Sequence, residues 1–254
     1  MSFYEDIAGE YDSIVGAASR AEAAGRFVDW LVAKHRPRRA VEVACGTGLY
    51  ARALAACGLS VVATDVSPAM LEQARAIPVA GPRRIEWVQA TMQDVADRVS
   101  GPFDALLCMG NSLPHLLTDA DLATAAKGFA RLLSPGGVAV IQLLNYHRVL
   151  ARGERFVGAS RQGDREYIRF YDFLGELLRF NILELEWAAA GADPASRFHQ
   201  TTLRPWRTEQ VADALRGGGF AWVELFGGLD RSAFDPQESD TVLMIATRGD
   251  REIA

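Results

Sequence analysis

A glycine turn between an apolar strand and a helix is the part of the chain best suited to chemistry. Gly46 and Gly48 follow residues 41–44, which are predicted to form a buried strand, and Asp65 lies 19 residues after the first glycine. Glycine adopts backbone angles closed to other residues and has no side chain to keep a ligand away. Strand, glycine turn, helix and a distant acid together predict a nucleotide site in which the acid accepts hydrogen bonds from a ribose. A plain tight turn is the alternative, and the position of the acid disfavours it.

Two kinds of ligand fit this turn. The spacing Gly46-x-Gly48-x-x-Ala51 satisfies the dinucleotide fingerprint, which would indicate a nicotinamide-dependent oxidoreductase. Glu42, however, lies inside the strand four residues before the first glycine, where a pyrophosphate would repel its carboxylate. The same carboxylate would stabilise a ligand that carries an ammonium and a sulfonium. Spacing alone leaves both ligands possible.

A family resemblance favours the second ligand. The arrangement Glu-x-x-x-Gly-x-Gly over residues 42–48 resembles motif I of the class I S-adenosylmethionine-dependent methyltransferases. The resemblance implies S-adenosylmethionine as the cofactor and direct displacement of its methyl group by the acceptor. Many relatives have an Asp that bonds the adenine where this chain has Thr91, so Thr91 or a backbone carbonyl would serve instead. The implied cofactor residues are Glu42, Ala44, Cys45, Gly46, Gly48, Asp65, Val66, Met70, Thr91, Met92 and Met109.

The loops after the fourth and fifth predicted strands carry the candidate acceptor residues. Asn111, Ser112 and His115 follow strand four, and Tyr146 follows strand five; together they are similar to motifs of the glycine N-methyltransferase-like branch. That branch implies that Asn111 and Tyr146 face the acceptor and that His115 lies near the methionine end of the cofactor. His115 or Tyr146 would take a proton from an amine nucleophile, although no obligatory base is expected. A turn-forming Asn111, an ordinary loop histidine and a packed tyrosine are the alternatives.

The residues that would define the acceptor are less specific. In the glycine enzymes an Arg before the last helix clamps the substrate carboxylate, and the alignment places Gln200 near that position. Arg169 lies elsewhere in the same segment, and Tyr4 and Tyr11 belong to an N-terminal stretch of the kind that relatives fold over the site. Since bidentate Arg binds a carboxylate more strongly than Gln does, an amino-acid acceptor is not established. N-methylation is preferred to O-methylation, and a cofactor-binding protein without catalysis is a further alternative.

The elements that must position these residues follow an α/β rhythm. Apolar strands alternate with amphipathic helices up to residue 144 and again from residue 208, which predicts a parallel sheet. From about residue 165 to 203, alternating extended stretches replace the helices and predict a small antiparallel sheet. We therefore expect one domain over residues 1–254. It is Rossmann-like, with a doubly wound, mostly parallel seven-stranded sheet, helices on both faces, and residues 150–206 as a β insertion over the substrate site.

Composition limits the partners and the compartment. With 27 basic and 32 acidic residues the formal charge is −5, which argues against the basic face of a nucleic-acid binder. Three cysteines in apolar surroundings indicate reduced thiols, and no signal peptide or membrane-spanning run is recognised. The four histidines and the cysteines show no metal-ligand spacing. We expect a soluble cytoplasmic monomer or homodimer that acts on a small molecule, without a metal, nucleic acid or membrane.

Overall fold

A computed structural model describes residues 3–79, 84–187 and 193–249, apart from the side chains of residues 17–19. The described strands are β1 (Arg39–Val43), β2 (Ser60–Asp65), β3 (Ile85–Gln89), β4 (Phe103–Cys108), β5 (Leu133–Leu144), β6 (Phe156–Gln162), β7 (Arg165–Leu174), β8 (Leu177–Glu186), β9 (Ala195–Leu203), β10 (Phe220–Phe226) and β11 (Thr241–Arg248). The described helices are α1 (Phe3–Ile7), α2 (Tyr11–Val15), α3 (Ala17–His35), α4 (Leu49–Ala56), α5 (Pro68–Ala76), α6 (Val95–Arg98), α7 (Asp119–Leu132), α8 (Tyr146–Arg152) and α9 (Thr208–Gly217).

Seven strands form one sheet in the order β10-β11-β5-β4-β1-β2-β3. Strand β1 pairs in parallel with β2 and β4, whereas β11 runs antiparallel to β5 and β10. From β1 the chain adds β2 and β3 on one side of that strand, and it then crosses to place β4 on the other side of β1. The loops after β1 and β4 therefore diverge at a switch point, where open α/β sheets bind ligands. The predicted doubly wound, mostly parallel sheet is confirmed.

Apolar layers on both faces of this sheet hold its strand ends in place. Phe27 and Leu31 recur at helical spacing on α3 and pack with Leu54 of α4 against one face. Phe129 of α7 and Leu215 of α9 belong to the cluster that covers the other face. Full burial of such side chains contributes about 1.5–3 kcal/mol each. No helix among the described residues is long and apolar enough to cross a membrane.

A second sheet, of antiparallel strands in the order β6-β7-β8-β9, interrupts the α/β rhythm. Strands β7 and β8 form a hairpin whose turn contains Gly175 at φ 68°, a conformation that favours glycine. The sequence indicated extended chain only from about residue 165, so strand β6 was not predicted. Gly158, Ser160 and Gln162 give β6 little of the apolar alternation by which strands are recognised.

Candidate active site

The glycine turn and Asp65 are joined directly. Gly46 and Gly48 have φ values of 55° and 79°, so both adopt the left-handed conformation that favours glycine. The Asp65 carboxylate accepts a hydrogen bond from the Gly46 N–H at 2.8 Å and another from the Ser67 N–H at 2.9 Å. Burial raises the pKa of Asp65, while these backbone bonds act in the opposite direction. One acid therefore fixes the ends of β1 and β2 relative to each other.

Gly48 is also required by the space around it. A Cβ atom added at this position would lie 2.4 Å from the Trp87 ring of β3, well inside van der Waals contact. At Gly46, an added Cβ would lie 3.5 Å from the ring of Tyr11. The turn is thus in close contact with the large sheet on one side and with α2 on the other.

Glu42 faces the start of α4 from the buried end of β1. Its side chain is 2 % exposed, and its Oε2 accepts a hydrogen bond from the Ala51 N–H at 2.6 Å. Burial raises the pKa of Glu42 to about 8, opposed in part by this hydrogen bond and by the charge of Arg52. A dinucleotide pyrophosphate would take N–H groups at such a helix start. Here the protein's own carboxylate already accepts from one of them.

A small cavity of about 40 Å³ lies against this turn. Among its walls are Glu42, Gly46 and Met109, together with Tyr11 and Arg20 from the N-terminal segment. Arg20 lowers the pKa of Tyr11 through its charge and a hydrogen bond, although burial raises that pKa overall. Sequence reasoning missed Arg20, because no spacing rule connects the first turns of α3 to the loop after β1.

The residues expected around the adenine occupy the ends of β2 and β3. Met70 is buried on α5, Met92 packs against the core, and Val66 is 49 % exposed. Both the backbone N–H and the hydroxyl of Thr91 donate to Asp94 Oδ1, at 2.7 and 2.8 Å. Asp94 therefore stabilises the turn, and the Thr91 hydroxyl proton is already used within the protein. The other two predicted residues, Ala44 and Cys45, line the small cavity.

A larger cavity of about 280 Å³ lies next to the small one. Its walls come from α1 and α2, from the loop after β4, from the end of β5 and from the second sheet. Neither aspartate nor glutamate is among its described lining residues. The polar groups that face it include Tyr4, Tyr11, Arg20, Asn111, His115, Gln142, Arg169, Tyr171 and Thr241. We take this cavity as the candidate acceptor site.

A hydrogen-bonded chain runs behind one wall of the acceptor cavity. The Leu144 N–H donates to Asn111 Oδ1 at 3.0 Å, which fixes the orientation of the amide group. Asn111 Nδ2 then donates to the Tyr146 hydroxyl oxygen at 2.9 Å. Tyr146 is 1 % exposed and is hydrogen-bonded in turn to Tyr171. Asn111 and Tyr171 thus line the cavity, whereas Tyr146 lies behind them and positions both.

His115 meets the N-terminal segment across the acceptor cavity. Its Nε2 lies 2.7 Å from the hydroxyl oxygen of Tyr4, and the two rings pack edge to face. Burial lowers the pKa of His115 to about 4, so the imidazole is neutral at physiological pH. In a neutral imidazole one ring nitrogen donates and the other accepts, so the tautomer of His115 sets the direction of this bond.

The second sheet contributes Arg169 but not Gln200 to the cavity. Arg169 projects from β7 on the same face as Tyr167 and Tyr171. Gln200 is exposed on β9, opposite Asn181, and lines neither cavity. Its side chain points away because alternate residues of a strand face opposite sides. Of the two candidate acceptor residues in this segment, Arg169 therefore faces the acceptor cavity and Gln200 does not.

Helices α1 and α2 connect the large sheet to the second sheet. Glu5 accepts from the Ser67 hydroxyl at 2.6 Å, and Asp12 accepts from the Thr47 hydroxyl at 2.7 Å. On the other side, Arg165 forms an ion pair with Glu10 at 2.7 Å. The predicted placement of Tyr4 and Tyr11 over the site agrees with this geometry, since both line the acceptor cavity.

Comparisons with known proteins agree with this fold. Residues 40–137 match the family described as a methyltransferase domain. A glycine/sarcosine N-methyltransferase of Parasynechococcus marenigrum is 32 % identical over 163 residues, covering 64 % of this chain and 56 % of the relative. A glycine/sarcosine N-methyltransferase of Aphanothece halophytica is 24 % identical over 97 % of this chain and 89 % of its own.

Among solved structures, the CcbJ methyltransferase of Streptomyces caelestis superposes with a TM-score of 0.81. Its sequence is 24 % identical, and the match covers 98 % of both chains. This likeness concerns the fold, including the second sheet and the N-terminal helices that such coverage must contain. The sequence match to the Parasynechococcus relative, in contrast, spans only about half of that protein's length.

Proposed function

The chain belongs to the class I S-adenosylmethionine-dependent methyltransferases, and we propose from this premise that it methylates a nitrogen atom of a small molecule. When bound, S-adenosylmethionine supplies a methyl group on a positively charged sulfur; the acceptor nitrogen forms the new C–N bond as the C–S bond breaks, and S-adenosylhomocysteine leaves. The relatives named above act on glycine and sarcosine nitrogens.

The residues of the glycine turn fit the cofactor chemically. Asp65 retains free lone pairs for ribose hydroxyls after accepting from Gly46 and Ser67. The Glu42 carboxyl complements an ammonium group, and Arg20, which faces both cavities, complements a carboxylate. A methionine moiety carries both of these charges. The protein thus offers one group of the right sign for each charged end.

The acceptor cavity favours nitrogen over oxygen because the described part of its wall contains no effective base. It has no carboxylate, the His115 pKa is lowered to about 4, and burial raises the pKa values of Tyr4 and Tyr171. A hydroxyl acceptor must lose its proton before or during attack. A neutral amine already has a free lone pair and needs only orientation and exclusion of water. This lack of a base carries the proposal.

Helices α1 and α2, together with the second sheet, form a cover over the site in this proposal. The small cavity of about 40 Å³ is far smaller than a pocket that holds a whole nucleoside cofactor, roughly 300 Å³ or more. Tyr11 lies over the glycine turn, and Glu5 bonds to Ser67 beside the ribose-binding acid. Binding of a whole cofactor therefore requires α1 and α2 to move away and then to close again. Asn111 would orient the acceptor within the closed cavity.

Calorimetry and product analysis test the proposal together. The protein should bind S-adenosylmethionine and S-adenosylhomocysteine but not NAD, and it should form S-adenosylhomocysteine with amines. Mass spectrometry should find the new methyl group on nitrogen. Methylation confined to alcohols or phenols would contradict the choice of nitrogen. Tight cofactor binding without turnover of amines, acids or phenols would instead indicate a protein that has lost catalysis.

A further inference from the structure

The wall of the acceptor cavity combines polar groups with a large apolar surface. Where the strands of the large sheet end, the wall presents the side chains of Asn111, Gln142 and Thr241. Helix α1 and the second sheet contribute many apolar side chains, among them Phe3, Ile7, Phe180, Ile182 and Leu203. A molecule that fills this cavity therefore contacts hydrocarbon as well as hydrogen-bonding groups.

Aromatic rings form the part of this apolar surface where α1 meets β8. The ring centroid of Phe180 lies 6.1 Å from that of Phe3 and 5.6 Å from that of Tyr171. Ile7 and Ile182 are almost fully buried, whereas Phe3 and Phe180 are only partly buried and line the cavity. An apolar ligand would cover the remaining ring surface, which is favourable.

The cavity is larger than a molecule of the size of glycine requires. Its volume of about 280 Å³ is nearly twice the roughly 150 Å³ of an apolar cavity that holds one benzene molecule. Glycine has fewer non-hydrogen atoms than benzene, so it would leave more than half of the space unfilled. Water occupies such space well only beside polar partners, which the apolar part of the wall does not offer. An acceptor of roughly ten to twelve non-hydrogen atoms fits the volume.

The charges around the cavity act on the protonation state of an amine. The described lining contains Arg20 and Arg169 and no carboxylate. Arg20 is assigned above to the methionine carboxylate, so Arg169 and the sulfonium remain positive when the cofactor is bound. An ammonium acceptor would add a like charge beside them. The cavity therefore favours the neutral amine, whose lone pair is free to attack.

We infer that the methyl acceptor is a neutral amine with an apolar body, of roughly ten to twelve non-hydrogen atoms in all, and that Phe3 and Phe180 determine this specificity. Alkylamines of medium length and aralkylamines belong to this class. The inference rests on the proposed N-methylation and narrows its acceptor. Asn111 would orient the nitrogen, while the apolar body lies against α1 and β8.

Straight-chain primary amines from propylamine to dodecylamine test the apolar body, because they differ in length but hardly in basicity. With saturating S-adenosylmethionine, kcat/KM should rise by up to about 4-fold for each added methylene. It should reach a maximum at roughly ten to twelve non-hydrogen atoms and then fall. Glycine and sarcosine should be poorer acceptors than the best amine by about 100-fold or more.

Piperidine and morpholine test the charge, because they have the same ring size but differ in basicity. Below the pKa of each amine, kcat/KM should rise about tenfold per pH unit. Morpholine is the weaker base, so its plateau should begin at a lower pH. A plateau that begins at the same pH for both would mean that the protein binds the ammonium and removes its proton, which contradicts a neutral acceptor.

Two substitutions should move the optimal chain length in opposite directions. Phe3→Ala enlarges the apolar end of the cavity and should favour longer amines, whereas Phe180→Trp reduces the space and should favour shorter ones. For the amine that the wild type prefers, kcat/KM should fall about 10-fold in both variants. Phe156→Ala is the matched control, since Phe156 is exposed on β6 and lines neither cavity. Its optimum should equal that of the wild type, and circular dichroism checks that all three variants are folded.

The outcomes separate this inference from the proposed function. Higher kcat/KM for glycine or sarcosine than for every apolar amine would overturn the inference and leave N-methylation intact. The same holds for a kcat/KM that does not depend on chain length, or for an optimum that neither Phe3→Ala nor Phe180→Trp moves. Absence of S-adenosylmethionine binding, or methylation of oxygen alone, would instead refute the proposed function.

Discussion

The two cavities of the site are built in different ways. One wall of the small cavity, from Glu42 to Tyr50, belongs to a single strand-turn-helix unit whose turn is bonded to Asp65; α2, Arg20 and the loop after β4 supply the rest. The acceptor cavity combines segments that are far apart in the chain, from Tyr4 in α1 through Asn111 to Tyr171 in the second sheet. The wall that the glycine turn forms depends on backbone geometry and local spacing. The acceptor cavity exists only once remote elements have packed together.

The difference extends to electrostatics. At the small cavity two buried carboxyl groups, Glu42 in its wall and Asp65 bonded to Gly46 of its wall, both accept backbone N–H groups and both have raised pKa values. In the acceptor cavity the charged side chains are Arg20 and Arg169, and the described lining has no acid. The buried groups that distinguish the two cavities are therefore acidic at the first and basic at the second. Substitutions at each cavity can test its role separately.

The largest effect is expected from Asp65→Ala. The change leaves the Gly46 and Ser67 N–H groups without an acceptor and removes the proposed ribose contact. Hydrogen bonds to a charged group contribute about 1.5–3 kcal/mol each, so cofactor affinity should fall about 100-fold or more in calorimetry.

Asp104→Ala is the matched control for Asp65. Asp104 Oδ2 accepts from the backbone N–H groups of Arg38 and Arg39 at 2.8 and 3.0 Å. These groups lie where β4 and β1 begin, at the opposite end of the strands from Asp65. Its loss should lower stability without changing cofactor affinity. Equal affinity losses in both variants would mean that Asp65 acts only through stability.

A smaller and pH-dependent effect is expected from Glu42→Gln. Because the folded protein raises the pKa of Glu42 from 4.5 to about 8, it holds a proton that the unfolded chain releases. The stability of the cofactor-free wild type should therefore fall as pH rises from about 4.5 to about 8, by roughly 1.4 kcal/mol per pH unit at most. The variant lacks this term, so denaturant unfolding should show its relative stability increasing with pH.

The same ionisation should be visible when the cofactor binds. An ammonium near Glu42 favours the charged carboxylate, so binding at pH 7 should release a proton, measured by calorimetry in buffers of different ionisation enthalpy. Glu42→Gln should release none and bind more weakly. Glu72→Gln, an exposed change on α5, serves as the control and should behave as the wild type. A pH-independent stability difference would show that Glu42 is already ionised in the folded protein.

The difference between the two cavities also explains which features could be predicted from the sequence. Gly46, Asp65 and Glu42 were recognised because a strand and its following turn fix their relative positions. The seven-stranded sheet followed from the alternation of apolar strands and helices, which is the same kind of short-range signal.

The acceptor residues were predicted less completely because their neighbours are set by tertiary packing. Arg20 and Tyr171 belong to a helix and a strand whose faces meet the site only after the second sheet has docked. Gln200 was placed by alignment, but strand alternation turns its side chain outward. Tyr146 was expected to touch the acceptor, whereas the Asn111 amide holds it behind the wall. The motifs indicated loops that line the cavity, but they did not show which atoms face inward.

The smallest effect is expected where the N-terminal helices meet the acceptor cavity. Tyr4→Phe removes the hydroxyl that is hydrogen-bonded to His115 Nε2 at 2.7 Å and keeps the ring that packs beside it. One such bond contributes about 1 kcal/mol, so kcat/KM should fall about 5-fold. A double-mutant cycle with His115→Phe should show coupling of similar size, and additive effects would mean that this contact does not hold the cover. The loss stays small because Glu5, Asp12 and Glu10 make separate contacts that still hold α1 and α2 in place.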